Sequence, residues 1–406
     1  MKKYFAIAKE YPGQFWLLFW GMLFSTIGAS MIWPFLTVYA SERLQLPLTQ
    51  TASLITINSA TSLIMTFVAG QVTDLAGRKM VMVVSLISNA ILYSMLGHAD
   101  TYTSFAILMG SLGASNPLYR VGANAMLADL IPPEQRADGY ALIRLSNNAG
   151  VAIGPSIGGF LAAASQYLAF YIAGAGLFLY GLLLFLAAKE TLPQKVNVDI
   201  ESTHNKDGYG RILRDIPFVT VVLNSTFGLI TASFIWVLLP VYATQEIGIP
   251  KQLYGFIPAT NAIMVVLLQV AITQWTKRRP PLRMMSLSMI FYAIGVGSVI
   301  LGKSFWGILI SMIIITIGEL IIAPTGSTFV ANIAPEHMRG RYMSVYSLTW
   351  SMSIGLGPVI GGLLNDNLGP PYIWIGGLCI GLTSMALFLL IQRAFYNKIL
   401  VQPTSI

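Results

Sequence analysis

Charge is scarce in this chain. Only 10% of its 406 residues are Asp, Glu, Lys or Arg, where a soluble chain carries roughly 25%. That shortage excludes an ordinary soluble domain. Cysteine is almost missing: Cys379 stands alone, so no intrachain disulfide can form, and no zinc-type spacing occurs. Histidine is nearly as rare. His98, His204 and His337 lie in loops or at the ends of apolar stretches, and no pair has ligand spacing. No metal and no catalytic base is therefore assigned. The phosphate-cradling pattern GxxxxGK[ST] is absent, so ATP is not the expected energy source and no cofactor is called for.

Apolar residues fill the space. They make up 55% of the chain, and the mean hydropathy is +0.69. They gather into stretches of roughly 18–28 residues, each long enough to cross a ~30 Å hydrocarbon layer as a helix. Twelve are read: 14–41, 50–73, 80–97, 102–130, 140–163, 168–188, 217–244, 252–275, 284–301, 305–331, 342–364 and 372–392. Helix is the forced choice, because the backbone finds no water to bond in lipid. The first stretch is too long for a signal-peptide core and is read as span one. Ahead of it, Phe5 and Ile7 hint at contact with a membrane surface.

The net charge of +8 does not point to nucleic acid, because of where the cations fall. Of 24 Lys and Arg, 19 lie in one set of loops. They are Lys2, Lys3, Lys9, Arg78, Lys79, Arg136, five in 189–216, four in 277–283, Arg339, Arg341, Arg393 and Lys398. The opposite set holds three: Arg43, Lys251 and Lys303. The asymmetry places both termini and the long central loop in the cytoplasm, where the cations also meet anionic lipid headgroups.

The chain also repeats itself. Ile32-Trp33, Leu36, Val38-Tyr39-Ala40, Pro47 and Asn58 return 203 positions later as Ile235-Trp236, Leu239, Val241-Tyr242-Ala243, Pro250 and Asn261. Ile131, Pro133, Glu134 and Tyr140 return as Ile333, Pro335, Glu336 and Tyr342. Gly154-Pro155-x-Ile157-Gly158-Gly159 returns as Gly357-Pro358-x-Ile360-Gly361-Gly362. One residue of slippage accumulates along the way. The expected fold is therefore an all-α membrane protein with twelve transmembrane helices in two pseudo-symmetric six-helix bundles. The bundles are 1–188 and 217–406, joined by the polar linker 189–216.

Two motifs carry more. Between spans two and three runs Gly70-Gln71-Val72-Thr73-Asp74-Leu75-Ala76-Gly77-Arg78-Lys79. Gly70 permits close helix contact, and Asp74 can cap backbone donors or meet Arg78. Here the chain resembles the major facilitator superfamily, whose signature is G-x-x-x-D-[RK]-x-G-[RK]-[RK]. The departure is Leu75, where the family has a basic residue. The resemblance implies a cytoplasmic gate made by Gly70, Asp74, Gly77, Arg78 and Lys79, with an acid near the inner end of span four. Asp129 holds that place. Span five carries Gly150-x-x-x-Gly154-Pro155-x-x-Gly158-Gly159, and span eleven carries Gly357-Pro358-x-x-Gly361-Gly362. Small residues four apart let backbones approach, and Pro155 opens the helical ladder. This pair of motifs looks like that of the twelve-span drug:proton antiporter branch.

Ionisable residues inside spans are informative, because each costs about 2.5–3.5 kcal/mol at a helix centre. Glu319 lies mid-way along span ten. Arg120 lies in span four, nine residues before Asp129, and Arg144 one turn into span five. Spans four and ten are repeat partners, so Arg120 and Glu319 are expected at one depth. The resemblance implies that spans one, four, seven and ten line the cavity. Glu319 is the candidate proton carrier: burial favours its neutral form and a nearby cation its charged form. Arg120, Arg144, Trp33, Tyr119, Trp236 and Trp350 are candidate substrate contacts. Asn58 and Asn261 are read first as interhelical hydrogen-bonders and also as polar candidates for the site. Span one holds no acid.

Paired acids, a nucleophile–base pair or metal ligands at membrane depth would mark an enzyme, and none is present. One buried acid and no ring of repeated pore residues argue against a channel. The expectation is a monomeric secondary transporter that exchanges protons for small amphiphilic molecules and exports them. Uniport, symport or export of a defined metabolite, sugar or lipid is the alternative. Lipid and protons are expected partners, and nucleic acid is not.

Overall fold

Twelve long helices follow one another through the described residues of the computed structural model, which are 11–132, 135–165, 167–192, 209–335 and 338–395. Outside them fall Lys2, Lys3, Lys9, Phe5, Ile7, Pro133, Glu134, Glu336, His204, His337, Lys398 and most of the linker. The helices are α1 (Gly13–Leu44), α2 (Leu48–Ala76), α3 (Arg78–Leu96), α4 (Tyr102–Leu130), α5 (Arg136–Ala164), α6 (Leu168–Ala187), α7 (Ile216–Glu246), α8 (Lys251–Thr276), α9 (Pro281–Ser298), α10 (Phe305–Ile333), α11 (Arg339–Leu368) and α12 (Pro371–Ala394). A six-residue helical turn, Tyr209–Arg214, precedes α7. Nine of the twelve are long and apolar enough to cross a membrane; α4, α5 and α9 fall short. Arg120 interrupts α4, Arg144 with Asn147 and Asn148 interrupts α5, and α9 starts with Arg283 in its first turn.

Local chemistry sets the ends. Thr101 and Ser304, one repeat apart, each accept a backbone N–H at the start of α4 and α10, from Ser104 and Gly307. Asp215 caps α7 through the Phe218 N–H. Helix α9 occupies Pro281–Ser298 rather than 284–301. Pro281 suits a first helical turn, where no N–H is needed, and Val299–Gly302 close into tight turns instead of continuing the helix. Helix α7 contains two wider turns, Phe234–Leu238 and Tyr242–Glu246, on either side of Leu239–Val241. Pro240 cannot donate the next rung of the ladder. The Leu239 N–H bonds Phe234 O, five residues back.

The chain divides into two compact units. Among the described residues, one holds those up to 46, those from 57 to 192 and 250–262; the other holds 47–56, 209–249 and those from 263 to 395. In the first, α1 lies along α5 and also meets α6, while α3 packs against both α4 and α6. In the second, α7 lies along α11 and also meets α12, while α9 packs against both α10 and α12. The same pairings thus recur six helices later. The opening turns of α2 and α8 are exchanged: each packs in the unit that holds the rest of the other. Phe15, Leu18, Met82 and Phe105 are fully buried in the first unit; Phe218, Phe234, Phe329 and Trp374 in the second. The outer faces carry large apolar side chains such as Phe67, Leu186 and Leu267, which suits lipid and not water.

Candidate functional site

The α2–α3 turn needs a glycine. Gly77 sits at φ +91°, and a Cβ there would stand 2.5 Å from Glu190 Oε2. The next residue, Arg78, is the hub of a charged cluster. Its Nη1 donates to Asp74 Oδ1 at 2.9 Å and its Nε to Asp129 Oδ2 at 3.3 Å, with the side chain only 12% exposed. Helices α2, α3 and α4 are tied together there: Asp74 and Arg78 meet across the four-residue spacing, and Asp129 joins them from α4. Lys79 lies over the Phe185 ring, 5.3 Å from its centre.

Two further members come from the segment read only as linker. Glu190, just beyond α6, accepts from the backbone N–H groups of Arg78 and Lys79, both at 3.0 Å, and from those of Thr191 and Leu192. It therefore caps the start of α3. Desolvation works against its charge, but the four donors outweigh it and hold the Glu190 carboxyl below its ordinary value. Thr191 Oγ1 donates to Asp129 Oδ2 at 3.0 Å. The clue was present in the sequence, an acid placed directly after span six, but nothing local says which helix start it reaches.

The glycine motifs are close-approach surfaces. Along α5, Gly150 faces Thr26 of α1, Gly154 faces Ile27 and Ser30, and Gly158 faces Met31. Along α11, Gly357 faces Ser233 and Gly361 faces Phe234 and Leu238 of α7. The last glycine of each motif touches an exchanged turn. Gly159 meets Lys251 at the start of α8, and Gly362 meets Leu48 and Thr49 at the start of α2. Charge assists at both places. Lys251 Nζ reaches Glu42 Oε2 at 2.8 Å, and Asp366 accepts the Leu48 and Thr49 N–H groups at 3.1 and 2.9 Å. Pro155 and Pro358 lie within their helices.

The family model of the Major Facilitator Superfamily matches residues 18–233 and 221–400. The chain belongs to the major facilitator superfamily. Within it, the chain resembles the drug:proton antiporter branch. It is 26% identical to a Na(+), Li(+), K(+)/H(+) antiporter of Planococcus maritimus, over 84% of this chain and 86% of that one. It is 24% identical to the quinolone resistance protein NorA of Staphylococcus aureus, over 87% and 90% of the two chains. The fold matches a bacterial homologue of the human lysosomal transporter Spinster, solved inward-facing and occupied, with TM-score 0.79 at 15% identity over 94% and 97% of the chains. Family and fold are those of integral membrane transporters and not of enzymes.

In this superfamily member the deep charge of α10 is framed on both sides. Ser288 Oγ of α9 donates to Gly318 O at 2.8 Å, and Gln269 Nε2 of α8 donates to Leu320 O at 3.1 Å. Between them Glu319 is half-buried. Neither Gln269 nor Ser288 stood out in the sequence. Arg120 is exposed, with Nη2 3.4 Å from Thr66 Oγ1 of α2. Arg144 is also exposed, and beside it Thr26 donates to Asn147 Oδ1 at 2.6 Å.

The other candidates divide between packing and surface. Tyr119 shares a hydrogen bond with Tyr180 of α6, 3.2 Å between hydroxyls. Buried Asn58 donates to Met109 O of α4 at 2.9 Å, and Asn261 is buried too. Trp33 and Trp236 are half-buried, Trp236 within the first wide turn of α7, and Trp350 is exposed. Tyr39 donates to Gly97 O at 2.7 Å. Among the described residues no group of three His, Cys, Asp or Glu gathers around a common point where a metal could be held.

Proposed function

We propose that this transporter exports small amphiphilic compounds in exchange for protons, by alternating access. The observation that carries the reading is Glu319: a half-buried carboxylate in the middle of an apolar helix, whose backbone on either side of it is bonded from α8 and α9. An acid in such a place is costly unless it is used. The names of the two relatives, a cation/proton antiporter and a quinolone resistance protein, support exchange and efflux. In this reading Glu319 alternates between a protonated and a substrate-competent state, Arg120 supplies positive charge to the substrate, and the Asp74–Arg78–Asp129 cluster latches one side. The protein crosses the bacterial inner membrane twelve times as two six-helix bundles, residues 1–188 and 217–406, joined by the linker 189–216. It works as a monomer with both termini in the cytoplasm, as the distribution of Lys and Arg indicates.

The test is flux of dye-like amphiphiles in proteoliposomes, with and without a pH gradient, for the wild type and Glu319→Gln. Gln keeps the shape and removes the titration. The gradient should accelerate wild-type transport several-fold and leave the variant unmoved. Gradient-driven flux at wild-type rate in the variant would refute the proton-carrier role. A ligand-stabilisation screen over amphiphiles, sugars and metabolites separates efflux of this kind from the alternative of one defined solute.

A further inference from the structure

We propose that the inner ends of α8, α9 and α10 form an anion site for a phosphate group, absent from the first repeat. The site is a cavity of about 150 Å³, far more than one water needs. Its walls include Lys277, Arg279, Thr276, Thr325, Thr328 and Asn332, and no carboxylate is among its lining residues. Neither cation forms an ion pair among the described residues. Arg279 is held in place, with Nη1 donating to Trp275 O at 2.8 Å and the guanidinium stacked 4.0 Å from the Trp275 ring centre. That leaves other N–H groups of the fork to donate. Thr325 is only 7% exposed, and its Oγ1 has no hydrogen-bond partner among the described residues. An unpaired buried hydroxyl next to a polar cavity is costly unless a ligand or solvent satisfies it.

The internal repeat explains what is new here. Gln71, Thr73 and Asp74 correspond to Gln274, Thr276 and Lys277, so the register is clear and the acid has become a cation. With the accumulated slip, Ala123, Met126, Asp129 and Leu130 correspond to Thr325, Thr328, Ala331 and Asn332. Both acids that Arg78 binds, Asp74 and Asp129, are gone, and three apolar positions have gained hydrogen-bonding side chains. Arg78, whose guanidinium binds those acids, corresponds to Pro281. The start of α3 is capped by Glu190, whereas the start of α9 has Pro280 at its cap and no side-chain cap bond. The first repeat supplies its own anions. The second offers cations, hydroxyls and an uncapped helix start, a donor set that fits a phosphate oxyanion. The phosphate group can belong to a phospholipid headgroup or to a free phosphate.

The experiment measures the unfolding midpoint of the purified full-length protein in uncharged detergent. Inorganic phosphate and dihexanoylphosphatidylglycerol are titrated separately, with chloride at matched ionic strength as reference. At least one should raise the midpoint saturably above chloride. A response to phosphatidylglycerol alone identifies a lipid headgroup as the source, and a response to both identifies the phosphate group itself. K277Q/R279Q should weaken the apparent affinity about tenfold or more, as loss of charged hydrogen bonds implies. Thr325→Val, close in shape and uncharged, should weaken it several-fold. Arg278→Gln removes a cation from the same loop but outside the cavity lining and should bind like wild type. No response beyond chloride overturns the proposal. So does an unchanged response in K277Q/R279Q or in Thr325→Val, or an equal loss in Arg278→Gln, which would reduce the effect to bulk surface charge.

Discussion

At Glu190 one carboxylate meets four backbone N–H groups, two of them at the start of α3. Those N–H groups have no partner within their own helix, so an anion placed there satisfies them and the helix dipole together. Glu190→Ala should lower stability by about 1 kcal/mol, the usual cost of losing a cap, and loosen the Arg78–Asp129 contact beside it. The pH dependence has a definite sign. The folded-state pKa of Glu190 lies below its ordinary value of 4.5, so its contribution is complete above that value. It fades as the pH falls through the lower, folded-state value. A midpoint difference between wild type and Glu190→Gln that stays constant at neutral pH and shrinks below about pH 4.5 would match. A difference that grows on acidification would contradict the assignment.

Helices, more than single residues, explain the glycine motifs. A Cβ at Gly154 would lie 2.7 Å from Ile27 O, a backbone atom that cannot swing aside. Gly154→Val should therefore force α5 away from α1 and cost about 1–3 kcal/mol, measured as a loss of unfolding midpoint. Gly176, with open space around its Cβ position, is the matched control, and Gly176→Val should change little. The α2–α3–α4 cluster operates at the same scale. Asp74→Asn or Arg78→Ala should cut turnover several-fold while leaving substrate affinity nearly unchanged, because the cluster lies near helix ends and the deep charges mid-helix. Cysteine labelling from the outer face should fall in both variants as the latch weakens. Unchanged turnover with unchanged labelling would leave the cluster as a topology marker.

Across the whole molecule, the balance of deep charge bears on substrate class. Glu319 is the one acid at mid-helix depth, against Arg120 and Arg144. A cation taken out of water needs a surplus of acid beside it, and this chain does not offer one. Matched anionic, neutral and cationic amphiphiles should therefore bind in that order of affinity. Arg120→Ala should weaken the anion by about 1–3 kcal/mol more than its neutral analogue, the range for one charged hydrogen bond. Preference for the cation, kept in Arg120→Ala, would exclude this charge logic.

The family resemblance supplied Asp129, whereas the residue pattern by itself supplied the helices, their order, the internal repeat and the Asp74–Arg78 pairing. All of these rest on local quantities: the length of an apolar run, the identity of a capping residue, or spacing along one or two adjacent helices. Tertiary structure alone decided the rest. Glu190 reaches α3 from the far end of α6, and Lys251 reaches Glu42 across 209 positions. Gln269 and Ser288 bond the backbone carbonyls on either side of Glu319 from two other helices, and the cavity beside Thr325 draws its walls from three. These arrangements depend on which helix faces which at a given height. A repeated hydrophobic period leaves that choice open, and close packing at the glycine surfaces settles it.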